Sequence, residues 1–388
     1  MTGIRVIFAG GGTGGHVYPA VAMYEGLTEE LGGDAVTAMF VGVVGGMEKR
    51  LLSSLDVPLR LLPGRGLRRA SLPERFLAAF ELLRAVVMGI RTIRAFRPDV
   101  VVGTGGYASV AMVVAAILTG TPRILQEQNS VPGLANRRLA RFANLVLLSY
   151  DESRALLPRG VNAAVIGNPL RRTPAADRTA GARFFGLSPA RPTVVVMGGS
   201  RGAHSLNEAA VAAAEQLLGD TPAQFVLLTG ERDYAATAAT FDQRRPGNDE
   251  GNTTSGEARE SRVVVRPYVD EMYNAYSVAD VAVSRAGASS VFELSSFGVP
   301  TVFVPYPYAA DDHQRLNVES LRAAGGVVVV ADDELTGERL AGEIRALLAD
   351  QSRRSRMSVA MSEWVKGDAA REAARRIAGL VKKTPWRP

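Results

Sequence analysis

Short runs of β-branched and apolar residues alternate along this chain with longer stretches of helical apolar spacing. Strands are predicted at 4–9, 36–42, 57–62, 99–103, 122–126, 144–148 and 163–166. A second set follows at 193–197, 224–229, 262–266, 280–284, 300–304 and 326–330. Strands that alternate with helix-length segments form βαβ units and parallel sheets. The proline-rich stretch 167–192 separates the two sets, and the hinge is expected near its start. The expected domains are 1–167 and 168–367, with a helix at about 368–388 crossing back onto the first. The segment at about 355–382 reads as helical. Residues 244–261 carry no apolar periodicity and read as a loop inside the second domain.

The two halves repeat each other. GGGTGGH (10–16) follows the run VIFA, and GGSRGAH (198–204) follows VVVM. DVVVGTGGYAS (99–109) lines up in the same way with DVAVSRAGASS (280–290). Each half therefore has two strand–loop–helix elements in the same order. Two α/β domains built alike suggest an enzyme that holds one substrate in each half.

Composition narrows the class. At 388 residues, 47% hydrophobic and 22% charged, the chain suits two globular domains. It has no cysteine, which excludes disulfides and thiolate metal sites. The opening strand is too short for a secretory signal core. The longest apolar stretch, Val110–Leu118, falls far below the ~20 residues of a spanning helix. A soluble, cytoplasmic protein is expected. The net charge of +6 points to anionic partners such as phosphates or an acidic membrane surface. Nucleic acid is disfavoured, since aromatics are only 6% and no nucleic-acid signature appears.

A glycine-rich turn between strand and helix lets backbone N–H groups reach a phosphate, with the helix dipole behind them. Residues 10–15 also satisfy G-x-G-x-x-G, the dinucleotide fingerprint. The acid expected at the end of the second strand is missing, because AMFVG runs into VVGGME. A nicotinamide cofactor is therefore discounted. All three histidines, His16, His204 and His313, fall in loops at predicted strand ends. His16 sits in the first turn of a helix, where the dipole disfavours the protonated ring, as a general base requires. A structural histidine is the alternative. His204 fits a phosphate loop better.

In the second half, Ser200 and the amides around it suit a diphosphate, and Arg285 would add positive charge. Glu293, three residues after Ser290, is either the acid of a capping box or an acceptor for ribose hydroxyls. His313, Gln314 and Asn317 share one rim, while Asp311 and Asp312 read as a solvated turn rather than a metal site. In the first half, Gln126, Glu127, Gln128 and Asn129 cluster where a parallel strand ends, the edge at which open α/β sheets bind ligands. A helix cap at Asn129 or Ser130 is the plainer reading. Residues 64–98 are basic and apolar, with Arg65, Arg68, Arg69, Arg75, Arg84, Arg91, Arg94 and Arg97 flanking Leu72, Phe76, Leu77, Phe80, Leu83, Val87 and Ile90. The apolar set either packs inside its own domain or docks on an anionic leaflet.

Taken together, GGGTGGHVYPA, GTGGYAS, EQNSVPGLAN, GNPLR, GGSRGA, SRAGASSVFE and HQRLN resemble the MurG family, the bacterial cell-wall glycosyltransferases that make lipid II. The resemblance runs from about residue 4 to beyond 320. It implies an α/β GT-B architecture of two Rossmann-like domains with parallel sheets facing across a cleft. It implies inverting transfer of GlcNAc from UDP-GlcNAc to the C4 hydroxyl of MurNAc-pentapeptide in lipid I, with no cofactor and no metal fixed by the protein. It implies a peripheral location on the cytoplasmic face of the cell membrane. By motif match, Arg171, Ser200, the backbone of Val269, the stretch including Ala288, Ser289 and Glu293, and Gln314 would contact the donor. Thr13, Gly14, Gly15 and Asn129 would line the site near the transferred sugar. His16, as base, and Tyr107 would face the acceptor. A UDP-sugar epimerase, a transferase using another lipid acceptor and a non-catalytic nucleotide-sugar module are the competing readings.

Overall fold

The computed structural model describes residues 3–53, 55–64, 72–199, 202–242 and 262–383. The chain divides into two compact units, Met1–Arg172 with Lys366–Pro388, and Thr173–Val365.

The first unit runs β1 (Ile4–Gly10), α1 (Gly14–Leu31), β2 (Val36–Val43), α2 (Glu48–Leu51), β3 (Leu59–Leu62), α3 (Leu72–Phe96), β4 (Val100–Gly105), α4 (Gly106–Thr119), β5 (Arg123–Glu127), α5 (Leu134–Leu139), β6 (Leu145–Leu148) and β7 (Ala163–Val165). Its sheet has the order β3-β2-β1-β4-β5-β6-β7, with every pairing parallel. Chain order reverses between β1 and β4. Side chains alternate across β1, so its two faces build two cores. Val6 and Phe8 join Val17, Ala20 and Met23 of α1, and Phe8 stacks on Phe40 at 5.4 Å. Ile7 and Ala9 join Ala85, Val86 and Ile93 of α3 and the alanine-rich face of α4.

The second unit runs α6 (Arg178–Phe185), β8 (Thr193–Met197), α7 (His204–Asp220), β9 (Gln224–Leu228), α8 (Glu231–Asp242), β10 (Val263–Arg266), α9 (Met272–Val278), β11 (Val281–Ser284), α10 (Ala288–Ser296), β12 (Thr301–Phe303), α11 (His313–Ala323), β13 (Val327–Val329), α12 (Gly337–Ala349) and α13 (Gln351–Trp364). Its parallel sheet has the order β10-β9-β8-β11-β12-β13. The reversal falls between β8 and β11, at the equivalent place.

The C-terminal segment is two helices. After α13 the backbone turns at Gly367, which has φ 66°. Asp368 then accepts from the Arg371 amide at 3.0 Å and caps α14 (Ala369–Lys383). Ala373, Ala374 and Ile377 of α14 complete the α1 side of the first core. The two helices approach closely at Gly26, where an added Cβ would lie 2.6 Å from the Ala370 carbonyl oxygen. Arg172 clasps the same region. Its guanidinium pairs with Glu29 at 2.6 Å and Asp368 at 2.8 Å.

Two outcomes follow for stability. Gly26→Val should destabilise the chain by about 1–3 kcal/mol, since its branched side chain meets backbone that cannot yield. Urea unfolding of the two proteins measures this. The second outcome concerns pH. The Arg172 hydrogen bond holds the Glu29 carboxyl below its usual range. Burial pushes Asp368 up, but hydrogen bonds from the Arg371 main chain and from Arg172 outweigh it and hold this carboxyl low. Both groups therefore contribute stability above their unfolded pKa values and lose it as pH falls through the folded ones. Arg172→Ala should cost about 1 kcal/mol or less near neutrality, because the pairs are solvent-screened. The difference from wild type should vanish at acid pH in parallel melts.

Candidate active site

Both loops of the first sheet's reversal point converge on His16. Thr13 caps α1 in extended conformation, Gly14 and Gly15 open the helix, and His16 follows in its first turn. The GTGGY loop passes beside the His16 ring. A Cβ at Gly105 would lie 2.7 Å from His16 Cδ2, and one at Gly106 would lie 2.5 Å from the Gly11 carbonyl oxygen. These two glycines also have φ of 109° and 76°, which side chains resist. Thr104 Oγ1 donates to the His16 carbonyl at 2.8 Å and ties the loops together. His16 Nδ1 lies 3.1 Å from the Gly11 carbonyl. A carbonyl only accepts, so Nδ1 carries the proton of the neutral ring and Nε2 keeps the lone pair.

An acid does stand just beyond β2. Glu48 opens α2, is 1% exposed, and points into the glycine loop instead of outward to a ribose. Its Oε1 accepts from the Gly12 amide at 2.8 Å and the Val43 amide at 3.1 Å. A Cβ at Gly11, Gly42 or Gly46 would collide with this carboxylate. Gly11 of GGGTGGH, Gly42 of AMFVG and Gly46 of VVGGME thus form one socket. The signal was present in VVGGME, but its direction was not.

Glu127 organises the next loop. Its carboxylate accepts from the Asn129 amide at 3.0 Å, the Gly133 amide at 3.1 Å and Asn136 Nδ2 at 2.8 Å. Asn129 is thus held by the acid two residues before it. Gln128 donates to the Thr104 carbonyl, which joins this loop to the GTGGY loop. Tyr107 packs its ring against Gly64, its hydroxyl is buried, and burial together with the Glu81 charge pushes its pKa up to about 12. It therefore stays protonated near neutrality and serves no base role. Arg171 lies over the Tyr18 ring at 4.0 Å.

In the second unit, Ser200 falls outside the described residues, as do Arg65, Arg68, Arg69 and the stretch 244–261. Gly199 and Gly202 flank Ser200 with φ of 82° and 71°, and α7 starts at His204. The His204 ring is exposed and lies between Asp233 at 3.2 Å and Glu208 at 3.3 Å. Helix α10 begins at Ala288 with Gly287 as its cap. Ser290 therefore lies inside the helix and Glu293 one turn further on, which excludes the capping box. Glu293 instead accepts from the Tyr276 hydroxyl at 2.6 Å. Ser289 Oγ is buried without a hydrogen bond among the described residues. Gln314 Oε1 accepts from the Tyr306 amide at 2.9 Å, and the buried Val269 side chain fixes the loop after β10.

Arg285 and Asn317 are both buried in the second unit. Arg285 is 7% exposed, pairs with Asp332 at 2.6 Å and donates to Ser205 Oγ at 2.8 Å. Its charge is met inside the unit, since a buried cation needs a partner that close. Asn317 is fully buried and donates to the Ala286 carbonyl at 3.1 Å, so it braces the β11–α10 loop from within. Asp312 pairs with Arg315. Among the described residues no three His, Cys, Asp or Glu side chains form a metal-binding group.

Helix α3 presents an unusual outer face. Leu77, Phe80, Leu83 and Val87 are exposed, with Phe80 at 64% and Leu83 at 62%. At 100° per residue they share one face with the exposed Arg84, Arg91 and Arg94. The expected single apolar face is thus split: Ala78, Ala85, Val86 and Ile93 face the core. Leu72 and Phe76 have no described side chains. No described helix is long and apolar enough to cross a membrane.

The chain is similar to known proteins along nearly its full length. The glycosyltransferase family 28 N-terminal domain matches residues 6–148, and its C-terminal domain matches 193–377. A relative from Chlorobaculum parvum is 40% identical over 98% of this chain and 100% of its own, and one from Moorella thermoacetica is 37% identical over 92% and 94%. Both are named UDP-N-acetylglucosamine–N-acetylmuramyl-(pentapeptide) pyrophosphoryl-undecaprenol N-acetylglucosamine transferase. The crystal structure of Acinetobacter baumannii MurG is 27% identical, with TM-score 0.70 over 98% of this chain and 99% of that one. The crystal structure of a putative UDP-N-acetylglucosamine 2-epimerase from Listeria monocytogenes has TM-score 0.67 at 16% identity over 98% of this chain and 96% of that one, a likeness of fold alone. Two parallel α/β units of GT-B class, two matched domain families and near-complete relatives lead to one conclusion: this chain belongs to glycosyltransferase family 28.

Proposed function

We infer that this enzyme transfers N-acetylglucosamine from UDP-GlcNAc to the C4 hydroxyl of the MurNAc-pentapeptide of lipid I, completing lipid II with inversion. The observation that carries this is 40% identity, spanning 98% of the chain, to a transferase named for that donor and acceptor. The epimerase likeness extends only to fold.

In this reading the second unit binds the donor. Positive helix ends at α7 and α10 meet the diphosphate, with Ser200, Ala288 and Ser289 beside it. Glu293, oriented by Tyr276, accepts the ribose hydroxyls. Gln314, Arg171 and the backbone of Val269 complete the donor contacts, and Arg285 positions the β11–α10 loop through Asp332 and Ser205. The first unit takes the acceptor. Its hydroxyl oxygen attacks C1 as the bond from C1 to the phosphate oxygen breaks. The hydroxyl proton passes to His16 Nε2, and UDP leaves with the bonding electrons. Thr13, Gly14, Gly15 and Asn129 surround the transferring sugar, and Tyr107 shapes the acceptor side. The outer face of α3 rests on the anionic cytoplasmic leaflet, its apolar half in the acyl boundary and its arginines among the headgroups.

Radiolabelled UDP-GlcNAc with a lipid I analogue tests the activity. Label should enter the lipid product. Release of UDP without acceptor would favour an epimerase, and binding without turnover a passive module. His16→Asn should lower kcat about 10²–10⁴-fold while UDP-GlcNAc still binds. Turnover near wild type would move the base elsewhere. Replacing Leu77, Phe80 and Leu83 together by Ser should abolish flotation with anionic vesicles and leave the melting temperature intact. Undiminished flotation would remove α3 from the membrane contact.

A further inference from the structure

We propose that Glu48 is a positioning residue that sets the tautomer of His16 through the single peptide plane joining Gly11 and Gly12. The proposal rests on His16 being the base.

The geometry is a relay across one peptide. The amide of that peptide, on Gly12, donates to Glu48 Oε1 at 2.8 Å. The carbonyl of the same peptide, on Gly11, faces His16 Nδ1 at 3.1 Å. A peptide is rigid and planar, so whatever fixes its N–H fixes its C=O on the opposite edge. This peptide especially needs fixing. Glycine lies on both sides of it, and Gly12 has φ 87°, so the flanking residues themselves offer little resistance to rotation of the plane. A flipped peptide would turn N–H toward the imidazole. Nδ1 would then become the acceptor, the proton would move to Nε2, and the ring could not take a proton where the acceptor hydroxyl arrives.

Glu48 blocks that flip by chemistry. Its Oε1 already accepts from two main-chain amides, Gly12 and Val43, so it selects the peptide orientation that offers N–H. Its own position is fixed by the Val43 amide at 3.1 Å and by the socket of Gly11, Gly42 and Gly46. Burial at 1% exposure keeps bulk water from replacing it. The arrangement resembles a carboxylate held against a catalytic histidine, with a peptide inserted between the two.

Glu48→Gln tests it. Glutamine fills the socket and can still accept, but its amide can also donate to a flipped carbonyl. The variant should keep its fold and UDP-GlcNAc binding. Its kcat should fall about 10–100-fold, by analogy with the loss on removing the hydrogen-bond partner behind a metal-ligating histidine, with KM for both substrates within about twofold. Nitrogen-15 spectra of the neutral rings give the decisive readout, with His16 assigned by its absence from His16→Asn. Wild type should show the proton on Nδ1, and Glu48→Gln should show a population protonated on Nε2. Three results would each overturn the proposal: wild-type His16 protonated on Nε2, a Glu48→Gln enzyme keeping more than half its kcat, or lost kcat with an unchanged His16 spectrum. A Glu48→Gln chain that fails to fold assigns Glu48 to the scaffold and overturns it too. If His16→Asn retains turnover, the base assignment itself falls. If only Glu48→Gln retains it, the relay alone falls.

Discussion

Everything around His16 at the carboxyl edge of the first sheet depends on backbone passing where no side chain fits. Gly105 and Gly106 lie against the His16 ring and the Gly11 carbonyl, and Gly11, Gly42 and Gly46 close around Glu48. Any Cβ among them would push a loop away. The positive φ at Gly12, Gly105 and Gly106 adds a second reason for glycine. Once these loops interlock, the imidazole is held on several sides without a side-chain partner. That leaves Nε2 unengaged among the described residues.

The duplicated motif shows what the sheet supplies and what it does not. Each unit places a glycine loop and a histidine after its central strand, because both sheets reverse order there. The surroundings then diverge. His16 meets a carbonyl and two glycines, whereas His204 lies exposed between two carboxylates. The same seven-residue spacing therefore delivers two different chemical environments. A motif fixes where a side chain starts, and the packing around it decides what the side chain can do.

Most of the scaffold was readable because its strands are buried on both faces and appear as unbroken apolar runs. Val194–Met197 and Val100–Val102 are such runs. Strand ends were shorter than expected beside Pro58 and Pro300, where the ring removes a ladder donor. The missed features are long-range or directional. The partner that holds Arg285, Asp332, stands 47 residues away and is set against it only by the fold. S-x-x-E looks like a capping box until the helix start at Ala288 puts Ser290 inside it. Glu48 differs again. The sequence shows an acid after β2, but only the folded loop shows that it points inward. The Gly-Asp pair at 367–368, a stop followed by a cap, is by contrast legible in the sequence, and the last helix starts beside it.

Topology supports the proposal that α3 and His16 serve one substrate. In a parallel sheet the helix after a strand starts at that strand's carboxyl edge and runs back antiparallel to it. The exposed Leu77 and Phe80 lie near the start of α3, and so belong to the edge that carries the His16 loop. Packing of Gly64, which leads from β3 toward α3, against the Tyr107 ring ties that end to the GTGGY loop. Arg91 and Arg94 fall toward the opposite end. An acceptor with a lipid tail and a polar sugar needs apolar contact close to the reactive edge. Four exposed apolar side chains on one face would be a liability in water unless something covers them. A bilayer would cover them, and at that end of the sheet it would also deliver the acceptor headgroup to the loops around Nε2.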